Sequence, residues 1–225
     1  IMSQRYEIKV PIDENNFNKY KNWLHQLSGI SMAYEDRVIN SIYFDSINYD
    51  SANANLTGLS NRMKYRIRWY GNSMDTETFA EIKIKNGRIG RKVVLPTNKK
   101  FNDLEIENAF SAHNSWYKNS KDSSVIPLIA STTLQPMLYV KYQRSYYLYE
   151  NFIRLTFDLN PNYKIFNSKR GKHSWKEDDF SVLEIKFSDK NLTRANDFLA
   201  KLPFVHKRNS KYLRGLSYCD KAIYI

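Results

Sequence analysis

The chain has 225 residues, enough for one large domain or two small ones around a sizeable core. With 42% hydrophobic and 15% aromatic residues, it is not an intrinsically disordered chain. Thirty-five Lys and Arg stand against 23 Asp and Glu, a formal charge of +12. That excess favours a polyanionic partner, whether nucleic acid, an anionic membrane or a phosphorylated small molecule, over a basic surface kept for solubility alone.

A first strand is expected over 4–10. Pro11 and Asp13 then open a helix with Phe17, Tyr20, Leu24 and Leu27 on one side, ended by Gly29. A second strand ends in Ser41-Ile42-Tyr43-Phe44-Asp45, and a polar stretch leads to Asn61. Three strands follow over 63–70, 78–85 and 89–95. The segment 102–118 reads as helical through Leu104, Ile106, Phe110 and Trp116. Strands resume over 137–149, 153–159 and 181–187, and helices over 192–202 and 209–219 close the chain. No repeat, low-complexity tract or linker interrupts it, so residues 1–225 are expected to form a single domain. Strands with helices at the start, middle and end argue for an α+β fold with an antiparallel sheet, not a βαβ arrangement.

Several chemistries have no residues to carry them. The single Cys219 excludes an internal disulfide and a thiolate metal cluster. Gly87-Arg88-Ile89-Gly90-Arg91-Lys92 has the wrong spacing for a P-loop. His25, His113, His173 and His206 are scattered, and no G-x-S-x-G elbow occurs. No run approaches the roughly 18 apolar residues of a membrane span, and no apolar leader follows Met2, so a soluble cytoplasmic protein is expected.

Residues two apart on a strand share a face. Lys64, Arg66 and Arg68 therefore oppose Tyr65, Ile67 and Trp69, and Glu81, Lys83 and Lys85 oppose Ala80, Ile82 and Ile84. Tyr142 pairs with Arg144 on one side of its strand. Arg154, Thr156 and Asp158 oppose Ile153, Leu155 and Phe157; Glu184, Lys186 and Ser188 oppose Leu183, Ile185 and Phe187. Glu7 and Lys9 oppose Tyr6, Ile8 and Val10. One such strand is an ordinary half-solvated strand. Six with mostly basic polar faces would repel one another across an open sheet. If the sheet closes into a barrel, those faces become a basic lumen, the apolar faces lie under helices, and a polyanion offsets the charge. Arg grips phosphate oxygens with a planar fork and Lys adds point charges. Glu81 and Glu184 each precede a Lys by two positions, which suits either a divalent metal or a salt bridge. The run from His206 to Gly215 concentrates charge again, with Arg208, Ser210 and Lys211 at the expected start of a helix that favours anions, or on a solvated basic tail.

In order along the chain, Arg5-Tyr6-Glu7-Ile8-Lys9, Ser41 to Asp45, Arg66-Ile67-Arg68-Trp69-Tyr70-Gly71, Glu81-Ile82-Lys83, Gly90-Arg91-Lys92, Tyr142-Gln143-Arg144, Arg154 to Asp158, Leu183-Glu184-Ile185-Lys186 and Ser210 to Gly215 form a set. That set resembles the VTC (vacuolar transporter chaperone) catalytic domain, in the superfamily of triphosphate tunnel metalloenzymes (CYTH-like). The resemblance implies a closed, eight-stranded antiparallel β-barrel whose polar, basic lumen holds ATP and a growing polyphosphate. It implies phosphate ligands at Lys9, Arg66, Arg68, Lys83, Lys92, Tyr142, Arg144, Arg154, Ser210 and Lys211, joined by Lys186 and by Arg208 where the family commonly has Lys. Arg66, Arg68, Arg154 and Lys211 would act on the transferred group, and Glu184 would hold Mn²⁺ or Mg²⁺. Arg5 stands where many tunnel enzymes have an acid, which leans away from hydrolysis. The expected activity is thus ATP-dependent polyphosphate synthesis. A triphosphate or polyphosphate hydrolase and a non-catalytic polyphosphate or nucleic-acid binder are the other readings, with nucleic acid not favoured. A membrane-protein partner is left open.

Overall fold

The segments in which charged and apolar residues alternate are strands in the computed structural model, which describes residues 5–72, 77–87, 89–96, 134–166 and 174–219. They are β1 (Arg5–Asp13), β2 (Ile30–Asp45), β3 (Asn61–Tyr70), β4 (Phe79–Asn86), β5 (Ile89–Pro96), β6 (Gln135–Tyr149), β7 (Ile153–Ile165), β8 (Lys176–Glu177) and β9 (Phe180–Ser188). Helices α1 (Phe17–Gln26), α2 (Asp50–Leu56), α3 (Leu192–Ala200) and α4 (Lys211–Tyr218) accompany them. The hydrogen-bonded strand order is β1-β9-β7-β6-β2-β3-β4-β5, with β8 on β7. The pairs β1–β9, β2–β3, β3–β4, β4–β5 and β7–β9 are all antiparallel. The fold is therefore α+β, a large antiparallel sheet with flanking helices. The helix expected over 102–118 lies outside the described residues. No helix among the described residues is long and apolar enough to cross a membrane.

The described residues divide into two compact units, one within 1–37, 142–162 and 177–210, the other within 38–141, 163–176 and 211–225. In the first, Val10 pairs with Leu183 and Leu183 with Phe157, while Ile8 pairs with Ile185 and Ile185 with Leu155. This apolar face is buried under Tyr20, Trp23 and Leu24 of α1 and Ala195 and Phe198 of α3. Tyr20 lies stacked on Phe157 with ring centroids 4.0 Å apart. Each large side chain buried this way contributes about 1.5–3 kcal/mol. The alternate residues fall into two polar rows, Lys9–Glu184–Thr156 and Glu7–Lys186–Arg154.

The second unit repeats the logic. Ile42, Phe44, Tyr65, Ile67, Trp69, Ala80 and Ile82 form its core with Leu134 and Tyr139. The opposite face carries the rows Tyr43–Arg66–Glu81 and Lys64–Lys83–Lys92. α4 lies so close to β6 and β7 that a Cβ on Gly215 would meet Leu138 Cδ2 at 2.5 Å and Tyr163 Cδ1 at 2.6 Å, so any side chain there would force a neighbour to shift. Asp45 is fully buried and ties three elements together. Its carboxylate accepts the backbone N–H groups of Ser46, Ser51 and Ala52, which caps α2, and the Tyr212 hydroxyl of α4 at 2.8 Å.

Several boundaries differ from expectation for local reasons. β1 continues through Pro11, which sits opposite Val182, to Asp13. The side chain of Asp13 accepts the N–H of Asn16 and caps a 3₁₀ turn over Glu14–Asn16, so α1 starts only at Phe17. β7 runs past Leu159 to Ile165, through Asn160 at a positive φ of 47° and Pro161. The polar stretch after Asp45 contains α2, whose one buried residue, Ala52, leaves little periodicity to read.

Candidate functional site

Hairpin register decides which charges meet. In the second unit, β3 and β4 place Arg66 opposite Glu81, and β5 brings Lys92 beside them. Arg66 approaches Glu81 Oε2 through Nε at 2.6 Å and Nη2 at 2.5 Å, and Lys92 Nζ is 2.7 Å from Oε1. Arg68 Nη1 lies 3.8 Å from the same carboxylate, and Arg68 Nε donates to Ser41 Oγ at 3.2 Å. Burial pushes the Glu81 carboxyl up, but Arg66, Arg68 and Lys92 outweigh it and hold it down at about 2. Glu81 thus acts as a salt-bridge partner, gathering three cations. Arg66 also donates through Nη1 to the Tyr43 hydroxyl at 3.0 Å. Burial raises the Tyr43 phenol, yet Arg66, Arg68 and Lys211 lower it below its ordinary value overall. By strand alternation Arg62, Lys64, Lys83 and Lys85 share this face, so among the described residues cations outnumber acids on it.

The first unit is more evenly charged. Lys9 lies 3.3 Å from Glu7 and 3.8 Å from Glu184, and Lys186 is ion-paired with the other oxygen of Glu184. Burial raises the Glu184 carboxyl, but Lys9, Lys186 and Arg144 together drive it well below the usual carboxylate range. Arg144 forks onto the fully buried Asp158, with Nε–Oδ1 at 2.5 Å and Nη2–Oδ2 at 2.8 Å. Its guanidinium lies 5.4 Å from the Tyr142 ring centroid. The segment before α4 runs along β1: Lys207 N donates to Lys9 O at 3.0 Å, and Lys9 Nζ to Asn209 O at 3.3 Å. Ser210 follows, half-buried.

The structure therefore brings Arg66, Arg68 and Lys92 together around Glu81, with Lys83 on the same face. Tyr212 is stacked on Tyr43 with ring centroids 5.2 Å apart, which brings the neighbouring Lys211 towards that group as well. Lys9, Lys186 and Arg144 gather separately around Glu184 and Asp158, and Arg154 is exposed on the same face of β7. Arg208 is exposed between α3 and α4, and no described contact joins it to either group. Sequence reasoning passed over Ser41 and Tyr43 as ligand-side residues, although their period-two spacing opposite Arg68 and Arg66 was there to read. It also left Asp158 without a role.

Among the described residues, no group of three or more His, Cys, Asp or Glu side chains could hold a metal by itself. Hard divalent cations bound with phosphates usually take one or two carboxylates and complete their shell with phosphate oxygens and water. Glu184 and Glu7 supply such carboxylates on one face, and the buried Thr156 Oγ1, opposite Glu184, has no hydrogen-bond partner. These oxygens fit a cation shared with a phosphate chain, not a closed protein cage.

The VTC domain family model matches residues 4–219. The chain belongs to that family. No curated protein matches it. Three solved structures share its fold at low identity. One is a Bacillus halodurans protein provisionally described as an adenylate cyclase, with TM-score 0.55, 13% identity, and coverage of 94% of this chain and 96% of that one. HpAC1 from Hippeastrum, provisionally an adenylyl cyclase and described with a dominant triphosphatase activity, has TM-score 0.54, 14% identity, and coverage of 95% and 96%. A Vibrio parahaemolyticus protein, again provisionally an adenylate cyclase, has TM-score 0.51, 12% identity, and coverage of 96% and 98%. Membership of the VTC family agrees with the sequence resemblance.

Proposed function

We propose that this VTC domain is an ATP-dependent polyphosphate polymerase. The observation that supports it most is the Arg66–Arg68–Lys92 cluster, three cations on one carboxylate within a face of further lysines. Such an excess suits a ligand carrying several adjacent negative charges. Closure of the sheet into an eight-stranded tunnel belongs to the same proposal, supported by family membership and by the strand alternation. An oxygen of the acceptor's terminal phosphate attacks the γ-phosphorus of ATP. The bond to the β,γ-bridging oxygen breaks, ADP leaves, and the chain is one phosphate longer. Arg66, Arg68, Arg154 and Lys211 stabilise charge on the transferred group, while Lys9, Lys83, Lys92, Tyr142, Arg144, Lys186, Arg208 and Ser210 hold the two phosphate chains in line. Glu184, helped by Glu7, would hold Mn²⁺ or Mg²⁺, which supplies charge neutralisation at phosphate oxygens when bound. Arg5, in place of a further acid, leaves few groups to activate water.

Purified protein incubated with ATP and Mn²⁺, its products sized on a gel, tests this reading. ADP together with acid-stable chains longer than triphosphate is the expected result. ADP and orthophosphate alone would assign hydrolysis, the activity described for HpAC1. Binding of polyphosphate without turnover would assign a binding module.

A further inference from the structure

We propose that Tyr43 is itself a phosphate ligand, its hydroxyl donating a hydrogen bond to a phosphate oxygen held by Arg66 and Arg68. The inference rests on the phosphate-chain reading above and deepens it. Tyr43 is 8% exposed and stands on β2 opposite Arg66. Its ring is stacked on Tyr212 with centroids 5.2 Å apart, at 15° between planes. Tyr212 is in turn held by Asp45, so the phenol is fixed by packing and not free to swing.

A tyrosine hydroxyl both accepts and donates. Here the accepting side is used by Arg66 Nη1 at 3.0 Å. Among the described residues, no acceptor takes the hydroxyl proton. Arg66, Arg68 and Lys211 are all close enough to act on the phenol, and all are cations that can only donate. An anionic acceptor is the missing partner. Glu81 is already occupied by Arg66 and Lys92. A phosphate oxygen placed between the two guanidinium groups would accept the proton and complete the arrangement. The same cations that lower the phenol strengthen it as a donor, as charge-assisted hydrogen bonds do.

Two measurements test the assignment on the full chain, with inorganic tripolyphosphate as probe and calorimetry as readout. Tyr43→Phe keeps the ring stacked on Tyr212 and is expected to weaken binding about 5- to 20-fold. A smaller but still measurable loss is expected when Tyr43→Phe is added to Arg66→Ala, since Arg68 and Lys211 remain beside the phenol. If the loss vanishes in the Arg66→Ala background, Tyr43 acts only by orienting Arg66 and the assignment is overturned. The second measurement avoids any question of folding: 3-fluorotyrosine placed at position 43 alone should shift its ¹⁹F resonance as tripolyphosphate saturates the site. A resonance that stays put at saturation overturns the assignment. Failure of tripolyphosphate to bind the unmodified protein at all would instead overturn the phosphate-chain reading.

Discussion

The two charged clusters are built by the same alternation and end in opposite electrostatic states. Around Glu81, three cations share one carboxylate. Around Glu184 and Asp158, Lys9, Lys186 and Arg144 meet three acids, Glu7 included. The first cluster sets three cations against one carboxylate, a balance that suits an arriving phosphate. The second is already satisfied internally, so a phosphate arriving there must compete with a carboxylate or come with a cation that takes the carboxylate over. Binding affinity and metal dependence should therefore separate between the two.

The largest effect expected is on stability. Arg144→Ala removes the guanidinium fork from the buried Asp158, which should cost about 3–5 kcal/mol in denaturant unfolding. Arg66→Ala should cost less, since Lys92 and Arg68 still attend Glu81; comparable losses for the two variants would erase the contrast. On binding the order reverses: Arg66→Ala should weaken tripolyphosphate affinity roughly 10- to 100-fold, read by calorimetry without metal. Glu184→Gln should abolish metal-dependent turnover while largely keeping metal-free tripolyphosphate binding. Turnover untouched in Glu184→Gln would reduce Glu184 to a salt-bridge role. The smallest effect is a pH signature. The folded-state value of Glu81 is depressed, so its stabilisation is present above its ordinary value of 4.5 and is lost as pH falls towards about 2. Glu81→Gln should flatten the thermal midpoint's pH dependence across that window; an unchanged slope would show that Glu81 is not held by these cations.

Much of this was legible in the sequence, and the limits have physical causes. Period-two alternation identifies the polar face of β3 from Lys64, Arg66 and Arg68 because Tyr65, Ile67 and Trp69 must be buried. The partners of those cations are another matter. Arg66 meets Glu81 only through the register of the β3–β4 hairpin, and Lys92 joins them only through the next one. Spacing within one strand carries no information on either. The first half of β2 was missed because Met32, Tyr34 and Glu35 to Arg37 are largely exposed and show no clean alternation. Pro11 reads as the opening of a helix yet lies inside β1, and β7 runs through Pro161 beyond the end expected at Leu159. The Asp45 tie to α2 and α4 was hidden for a simpler reason: Tyr212 is 167 residues away along the chain.

The strand register has a consequence for how this chain can vary over generations. Substitutions on the polar face of β3 remove one ligand at a time and leave the core alone. Loss of a single codon between Asn61 and Tyr65 is a different event. With the rest of the strand sliding by one position, Arg66 and Arg68 would turn into the space of Tyr65 and Ile67, while Ile67 and Trp69 would turn out among the lysines. Such a lineage loses site and core in one step. Length changes should accordingly collect in the connections and be purged from β3, even where amino-acid replacements there are tolerated.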